Sequence, residues 1–261
     1  MGTIGILKKI FIQPNIAGQG NEVVNICNGM KHKLYLKSSR SQLDIVGSGN
    51  KIIFHSDRKM KKFPSGLNLK IRGDNNVINI ELPITFDDVL ISMDSYNTFE
   101  ILSQVYSVTG ARFYVEEGAD VFIGRDCELC NGNLHVVVNN GWKKRPKLSI
   151  GNRVHIARDC IIRTSDGQAI IDLKSGLAIN EPKDVIIEDD VWITSRCIIL
   201  KGSYIAKGNV VGAGSLVNKK FFKNNVVIAG APAKIIKENV FWSRETFGQR
   251  NKRVVGSNVV R

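Results

Sequence analysis

Three kinds of side chain in this 261-residue sequence could do chemistry. His32, His55, His135 and His155 carry imidazoles, whose pKa near neutrality suits general acid–base work. Cys127-Glu-Leu-Cys130 has the spacing of a redox pair or half a zinc site, but no second pair or suitably spaced His completes it. In Arg163-Thr-Ser-Asp166-Gly-Gln168 a carboxylate lies two residues from a carboxamide, and Trp192 follows 24 residues after Gln168. A carboxamide has no group that titrates near pH 7. Basic residues gather in Lys143-Lys-Arg-Pro-Lys147 and again in residues 217–261, where ten Lys and Arg face only Glu238 and Glu245. The formal net charge is +13, and such clusters concentrate anionic ligands. Nothing resembles a recognition helix, a zinc finger or an aromatic platform for bases, so an anionic polysaccharide and an anionic cofactor explain the charge better than nucleic acid.

The elements that must position these groups are strands. Ile and Val number 57 against 27 for Leu and Ala together, which is a strand composition. Asn (23) and Gly (24) add residues suited to tight turns. Helical bundles and Rossmann-type α/β folds want more Leu, Ala and Glu, and at 43% apolar the chain is too hydrophobic for disorder. No apolar run approaches the ~18 residues of a membrane span. The first residues place lysines after the apolar positions, the reverse of a signal peptide, so a cytoplasmic chain is expected. Five Cys at irregular spacing argue against a disulfide framework.

The second half is built from six-residue units. Ile150, Ile156 and Ile162 recur in phase, and after an interruption so do Ile187, Ile193, Ile199, Ile205, Val211 and Val217. This is the hexapeptide pattern of a left-handed parallel β-helix, in which each unit is one short strand and one corner of a triangular prism. Aliphatic side chains stack inward every 18 residues, and the position four later must be small; Cys127, Cys160 and Cys197 fall on it, which explains them structurally. The spacing predicts irregular N-terminal coils over 1–110, marked by Gly18-Gln-Gly-Asn21, Gly47-Ser-Gly-Asn50, Gly73-Asp-Asn-Asn76 and Asp94-Ser-Tyr-Asn97. Regular coils over 111–232 expel loops at 139–147 and 167–184. Residues 233–261 form a cap, with a short amphipathic helix to Phe247, and a basic tail. The whole is one solenoid domain.

From Ile161 onward the chain resembles the hexapeptide-repeat O-acetyltransferases of capsular and surface polysaccharides, among them the bacterial polysialic-acid O-acetyltransferases. The residues that carry this are Arg163-Thr-Ser-Asp166-Gly-Gln168-Ala-Ile170, Val191-Trp192-Ile193, Ile199-Leu-Lys-Gly202, Val211-Gly-Ala-Gly-Ser-Leu-Val217 and Ala229-Gly-Ala-Pro-Ala-Lys234, in order over roughly the last 110 residues. The resemblance implies a homotrimer with acetyl-CoA in the grooves between prisms and a sugar hydroxyl entering from the loop side. It further implies a histidine base in the Ser-Asp-x-His segment, oriented by the nearby carboxylate, Asp166. Trp192 is implied on the donor side as a catalytic and CoA-binding contact, with Thr194, Ala213, Lys219, Lys220, Ala231, Pro232 and Lys234 along the CoA; no metal is implied.

The expected histidine is Gln168. Three readings follow: the chain is impaired, another histidine substitutes, or Gln168 positions a substrate that reacts by another route. His155 is the best substitute, but its 13-residue separation from Gln168 is not a stacking interval and points to another face. His135 reaches the groove only if the basic loop folds across it. His32 and His55 lie far back. Surface or strand roles are the plainer reading for all four. The function expected is acetyl-CoA-dependent O-acetylation of a surface polysaccharide or its precursor. Its rivals are N-acylation of a nucleotide-linked amino sugar, where a neutral amine needs a base less, and a silent CoA- or glycan-binding trimer.

Overall fold

The computed structural model describes residues 14–34, 40–103, 105, 107–138 and 145–245. Its described part is all-β, with 25 strands and no helix, and hence none long and apolar enough to cross a membrane. Nearly all strands pair in parallel with the strand one coil later.

In the regular coils the strands form three walls. The first stacks His155–Ile156, Trp192–Ile193, Val210–Val211 and Val227–Gly230. The second stacks Ile161–Arg163, Ile198–Ile199 and Leu216–Val217. The third stacks Lys147–Ile150, Val185–Ile187, Tyr204–Ile205 and Lys220–Phe221. The phase residues Ile150, Ile156, Ile162, Ile187, Ile193, Ile199, Ile205, Val211 and Val217 all point inward, each at most 1% exposed. Burying each side chain contributes roughly 1.5–3 kcal/mol. Outward residues alternate with them, because side chains in a strand change face at every step.

Corner chemistry follows from the same stacking. Cys160 and Cys197 occupy successive levels of the corner between the first and second walls, with Ser215 above them. Their thiols donate to the Thr194 and Gly212 carbonyls at 3.2 and 3.3 Å. Hydrogen bonding from the Cys160 side chain draws the Cys197 pKa down to about 7. Burial pushes Cys127 up to about 11, the signature of an inert thiol. The Cys130 side chain lies outside the described residues.

The N-terminal coils join the second and third walls directly. Asn15–Ala17, Leu43–Val46, Leu67–Ile71 and Val89–Met93 extend the second wall. Glu22–Cys27, Lys51–His55, Val77–Glu81, Thr98–Ile101 and Asp120–Ile123 extend the third. At the corner between them runs an asparagine ladder: Asn50 Nδ2 donates to Asn21 Oδ1 at 3.0 Å, and Asn76 Nδ2 to Asn50 Oδ1 at 2.9 Å. The Asn97 backbone N–H donates to Asn76 Oδ1 at 3.0 Å. Glycine is required beside it, since a Cβ on Gly47 (φ +143°) would sit 2.1 Å from the Gly73 carbonyl oxygen.

The helix expected after Ala233 is absent. Ala233–Lys237 instead pairs antiparallel with Val227–Gly230. The top strand of the first wall would otherwise leave a row of unpaired backbone groups, and the β-branched Ile235 and Ile236 favour a strand over a helix. The chain then runs down the first wall as an irregular strap to residue 245. The basic tail beyond, with Arg250, Lys252, Arg253 and Arg261, lies outside the described residues.

Candidate active site

Both expected loops fall in the chain between a second-wall strand and a third-wall strand. The first spans residues 139–146, of which 139–144, including Lys143 and Lys144, lie outside the described residues. Arg145 is paired with Asp120 at 2.7 Å. The second excursion follows Ile161–Arg163 and returns at Val185–Ile187. It folds on itself through an antiparallel bridge between Ile171 and Ala178.

Asp166 anchors that excursion. Its carboxylate accepts from Lys201 Nζ at 2.5 Å and from Asn180 Nδ2 at 2.8 Å. The Lys201 ammonium, one coil further on, holds the Asp166 carboxyl below the usual carboxylate range. Asn180 also donates to the Gln168 carbonyl and accepts from the Ile170 N–H, at 2.8 and 2.7 Å. The Gln168 carboxamide is left exposed at the corner. Arg163 adds a buried Nε–H with no partner among the described residues. The resemblance paired Asp166 with residue 168; the structure pairs it with Lys201, from the Ile199-Leu-Lys-Gly202 segment, and with Asn180, which no motif marked. A cleft of about 510 Å³ adjoins this corner on the third wall, lined by Arg145, Lys183, Tyr204 and Lys220 among others.

The other candidates gather elsewhere. Trp192 stands on the outer face of the first wall, and its chain neighbours lead into the corner between the first and second walls. Thr194, whose hydroxyl donates to the Val211 carbonyl at 2.6 Å, Ala213 and the Ala231-Pro232 turn line up along that corner. The side chains here are small, and a Cβ on Gly214 would meet nothing within 4 Å. That open edge with bare backbone fits a pantetheine arm. Lys234 is exposed on the last strand. Lys219 and Lys220 lie instead at the loop-bearing corner, Lys219 with its ammonium 5.3 Å from the Phe221 ring centroid. Within one chain the second wall separates Gln168 and Asp166 from Trp192.

His155 sits directly under Trp192, their backbones paired in register. The interval is 37 residues because the excursion is inserted in the coil between them. Glu128 occupies the level below, with Oε2 3.3 Å from His155 Nδ1. From the strap, Trp242 packs on both rings, its centroid 6.1 Å from His155 and 5.8 Å from Trp192. The Trp242 indole N–H donates to the Asp190 carbonyl and Arg244 to the Asp126 carbonyl. Trp242 and Arg244 also line a cleft of about 600 Å³ with Arg153, Asp190 and Lys207. His135 is exposed on the second wall against Tyr114, with ring centroids 5.0 Å apart, while His32 and His55 lie in the N-terminal coils. No spacing rule marked Glu128 or Trp242; a lone indole in a polar tail was the only signal.

No protein-family model matches the chain. A polysialic acid O-acetyltransferase of Neisseria meningitidis is 29% identical over 210 residues, 80% of this chain and 83% of that protein. Another of the same name from Escherichia coli O1:K1 / APEC is 36% identical over 128 residues, 49% of this chain and 39% of its own length. The crystal structure of the polySia-specific acetyltransferase NeuO superposes with a TM-score of 0.59 at 28% identity, covering 90% of this chain and 83% of that one. The chain is thus similar to hexapeptide-repeat polysialic acid O-acetyltransferases. Its fold is the left-handed parallel β-helix of that group. The two residue sets described above lie at opposite ends of the second wall.

Proposed function

We propose that this protein transfers an acetyl group from acetyl-CoA to a hydroxyl of an acidic surface polysaccharide, in the cytoplasm and as a homotrimer. The likeness to proteins of that activity over most of the chain carries the reading. The donor lies along the small-residue corner formed by Thr194, Ala213, Ala231 and Pro232, with Trp192 beside the thioester and Lys234 toward the phosphates. The acceptor is held at the loop-bearing corner. There Gln168 offers a hydrogen-bonding carboxamide, Lys201 and Asn180 keep Asp166 in place, and neighbouring cations favour a carboxylate-bearing sugar.

The trimer is needed because one chain keeps donor and acceptor corners apart. Two apolar surfaces support it. Ile161, Ile198 and Leu216 form an outward row on the second wall, Ile198 being 37% exposed. The excursion displays Ile170, Ile171, Leu173, Leu177 and Ile179, each at least half exposed. Aliphatic faces of this kind are covered by partners. Seating the excursion of one protomer against the first wall of the next brings Gln168 to Trp192.

The test is acetyl transfer from acetyl-CoA to oligosaccharides of sialic acid, to neutral oligosaccharides and to an amino-sugar nucleotide, with light scattering for the trimer. Transfer to the acidic oligosaccharide, falling as salt rises, is expected. Transfer only to the amine would replace O- by N-acylation, and CoA binding with no transfer would leave a binding scaffold. Gln168→His should raise turnover if this corner meets the reacting hydroxyl.

A further inference from the structure

If the reading above holds, the reaction needs a proton acceptor, and Gln168 cannot be one. We propose that His155 is that base, oriented by Glu128, acting from the donor-side wall of the groove and not from the loop-bearing corner.

Three observations converge. His155 stands on the outer face of the first wall, in register with Trp192, so both side chains project into the same space. Its ring is not sealed in, with 27% of the side chain accessible. Its Nδ1 faces the Glu128 carboxylate at 3.3 Å, which favours the tautomer with the proton on Nδ1 and leaves the Nε2 lone pair free; this is the orienting logic of carboxylate–imidazole pairs. Third, Trp192 and Trp242 flank the ring with centroids 6.4 and 6.1 Å away, fixing its plane and lowering the local dielectric. The other described histidines lack this placement: His135 is on the second wall, and His32 and His55 are coils away.

The step balances without another reactant. As the acceptor oxygen attacks the thioester carbonyl, its proton passes to His155 Nε2, giving imidazolium beside Glu128. Collapse of the tetrahedral intermediate forms the ester C–O bond and breaks the C–S bond. The leaving thiolate takes the proton back from Nε2. Neutral imidazole is regenerated, with ester and CoA thiol as products. Among the described residues, Glu128 and Arg244 are the charged groups that act on the ring. Glu128 stabilises the imidazolium, while Arg244 from the strap and burial disfavour it, and burial is the largest influence, so the His155 pKa lies below its ordinary value.

The experiment compares the full-length protein with His155→Gln, Glu128→Gln and His155→Gln/Gln168→His, following acetyl transfer to the sialic acid oligosaccharide across pH 5–9. His155→Gln should lower kcat by roughly 10²–10⁴-fold, with acetyl-CoA affinity, read from quenching of tryptophan emission, within a few-fold of the parent. Adding Gln168→His should restore turnover by at least tenfold, since it returns a base to the groove from its other side. Glu128→Gln should move the acid limb of the kcat/KM profile to lower pH, which a packing role for Glu128 would not do. If His155→Gln retains kcat within threefold, the proposal falls and O-acetyl transfer stands. An unmoved acid limb in Glu128→Gln, read even if the His155 variants fail to fold, overturns the pairing and with it His155 as the oriented base. If the parent protein transfers acetyl to no hydroxyl, the functional reading fails and takes this inference with it.

Discussion

Replacing Asn76 by alanine tests whether the asparagine ladder holds the N-terminal coils. Asn76 is fully buried. Its Nδ2 donates to Asn50 Oδ1 at 2.9 Å, and its Oδ1 accepts from the Asn97 N–H at 3.0 Å. Truncation affects the two ends differently. Asn50 Oδ1 keeps the Asn76 backbone N–H as a donor at 3.0 Å, so that bond costs about 1 kcal/mol. The Asn97 N–H loses its acceptor in a site closed to water, which costs about 1–3 kcal/mol. The sum is roughly 2–4 kcal/mol, or about 4–16 °C in Tm for a chain of this size. Asn21, at the half-buried start of the ladder, is the control: its acceptor oxygen also serves Asn50, at 3.1 and 3.0 Å, but water can replace it there. Asn21→Ala should cost less than half as much. Urea unfolding followed by circular dichroism gives both numbers. A shift below about 0.5 kcal/mol for Asn76→Ala, or equal shifts for the two variants, would refute the reasoning.

Three further outcomes follow from the same geometry. Gly47→Ala should destabilise more than Asn76→Ala, because its Cβ would lie 2.1 Å from the Gly73 carbonyl oxygen at φ +143°; an unchanged Tm would contradict the close approach. Asp166→Asn should leave global stability within about 1 kcal/mol, since the pair with Lys201 is partly exposed, yet speed tryptic cleavage after the exposed Lys174 by loosening the excursion. The Asp166 carboxyl is depressed in the folded state, so the tether is fully present above the ordinary carboxylate range and is lost as pH falls through the lowered value. Amide exchange in residues 167–184 should therefore rise, relative to the walls, only at strongly acid pH. Cys197, despite a thiol pKa of about 7, has no accessible surface. It should resist iodoacetamide in the native protein and react in urea, and rapid native labelling would show the corner to be open.

Periodicity made the prism legible. Residues recurring every six positions had to face inward, and the small position four later had to sit in a corner, so the buried stack from Ile150 to Val217 and the Cys160 and Cys197 corners were readable from the chain. The break in the six-residue phase after Gly167 also located the excursion. Two expectations differ from the structure. The amphipathic pattern after Ala233 describes a strand as well as a helix when it ends a sheet, and only the unpaired edge of Val227–Gly230 decides between them. The resemblance implied that Asp166 orients the residue at position 168; in the structure its carboxylate accepts from Lys201, a full coil away, and from Asn180.

What the sequence determined by itself is which side chains enter the core, because that depends on a local repeat. Which outward side chains become neighbours was left to the tertiary structure. The excursion lengthens one coil, turning an 18-residue interval into the 37 residues that set His155 beneath Trp192. The strap then folds back to lay Trp242 on both. Loop length and the docking of a distant tail are non-local, so no spacing rule along the chain could bring Glu128, His155, Trp192 and Trp242 to one face.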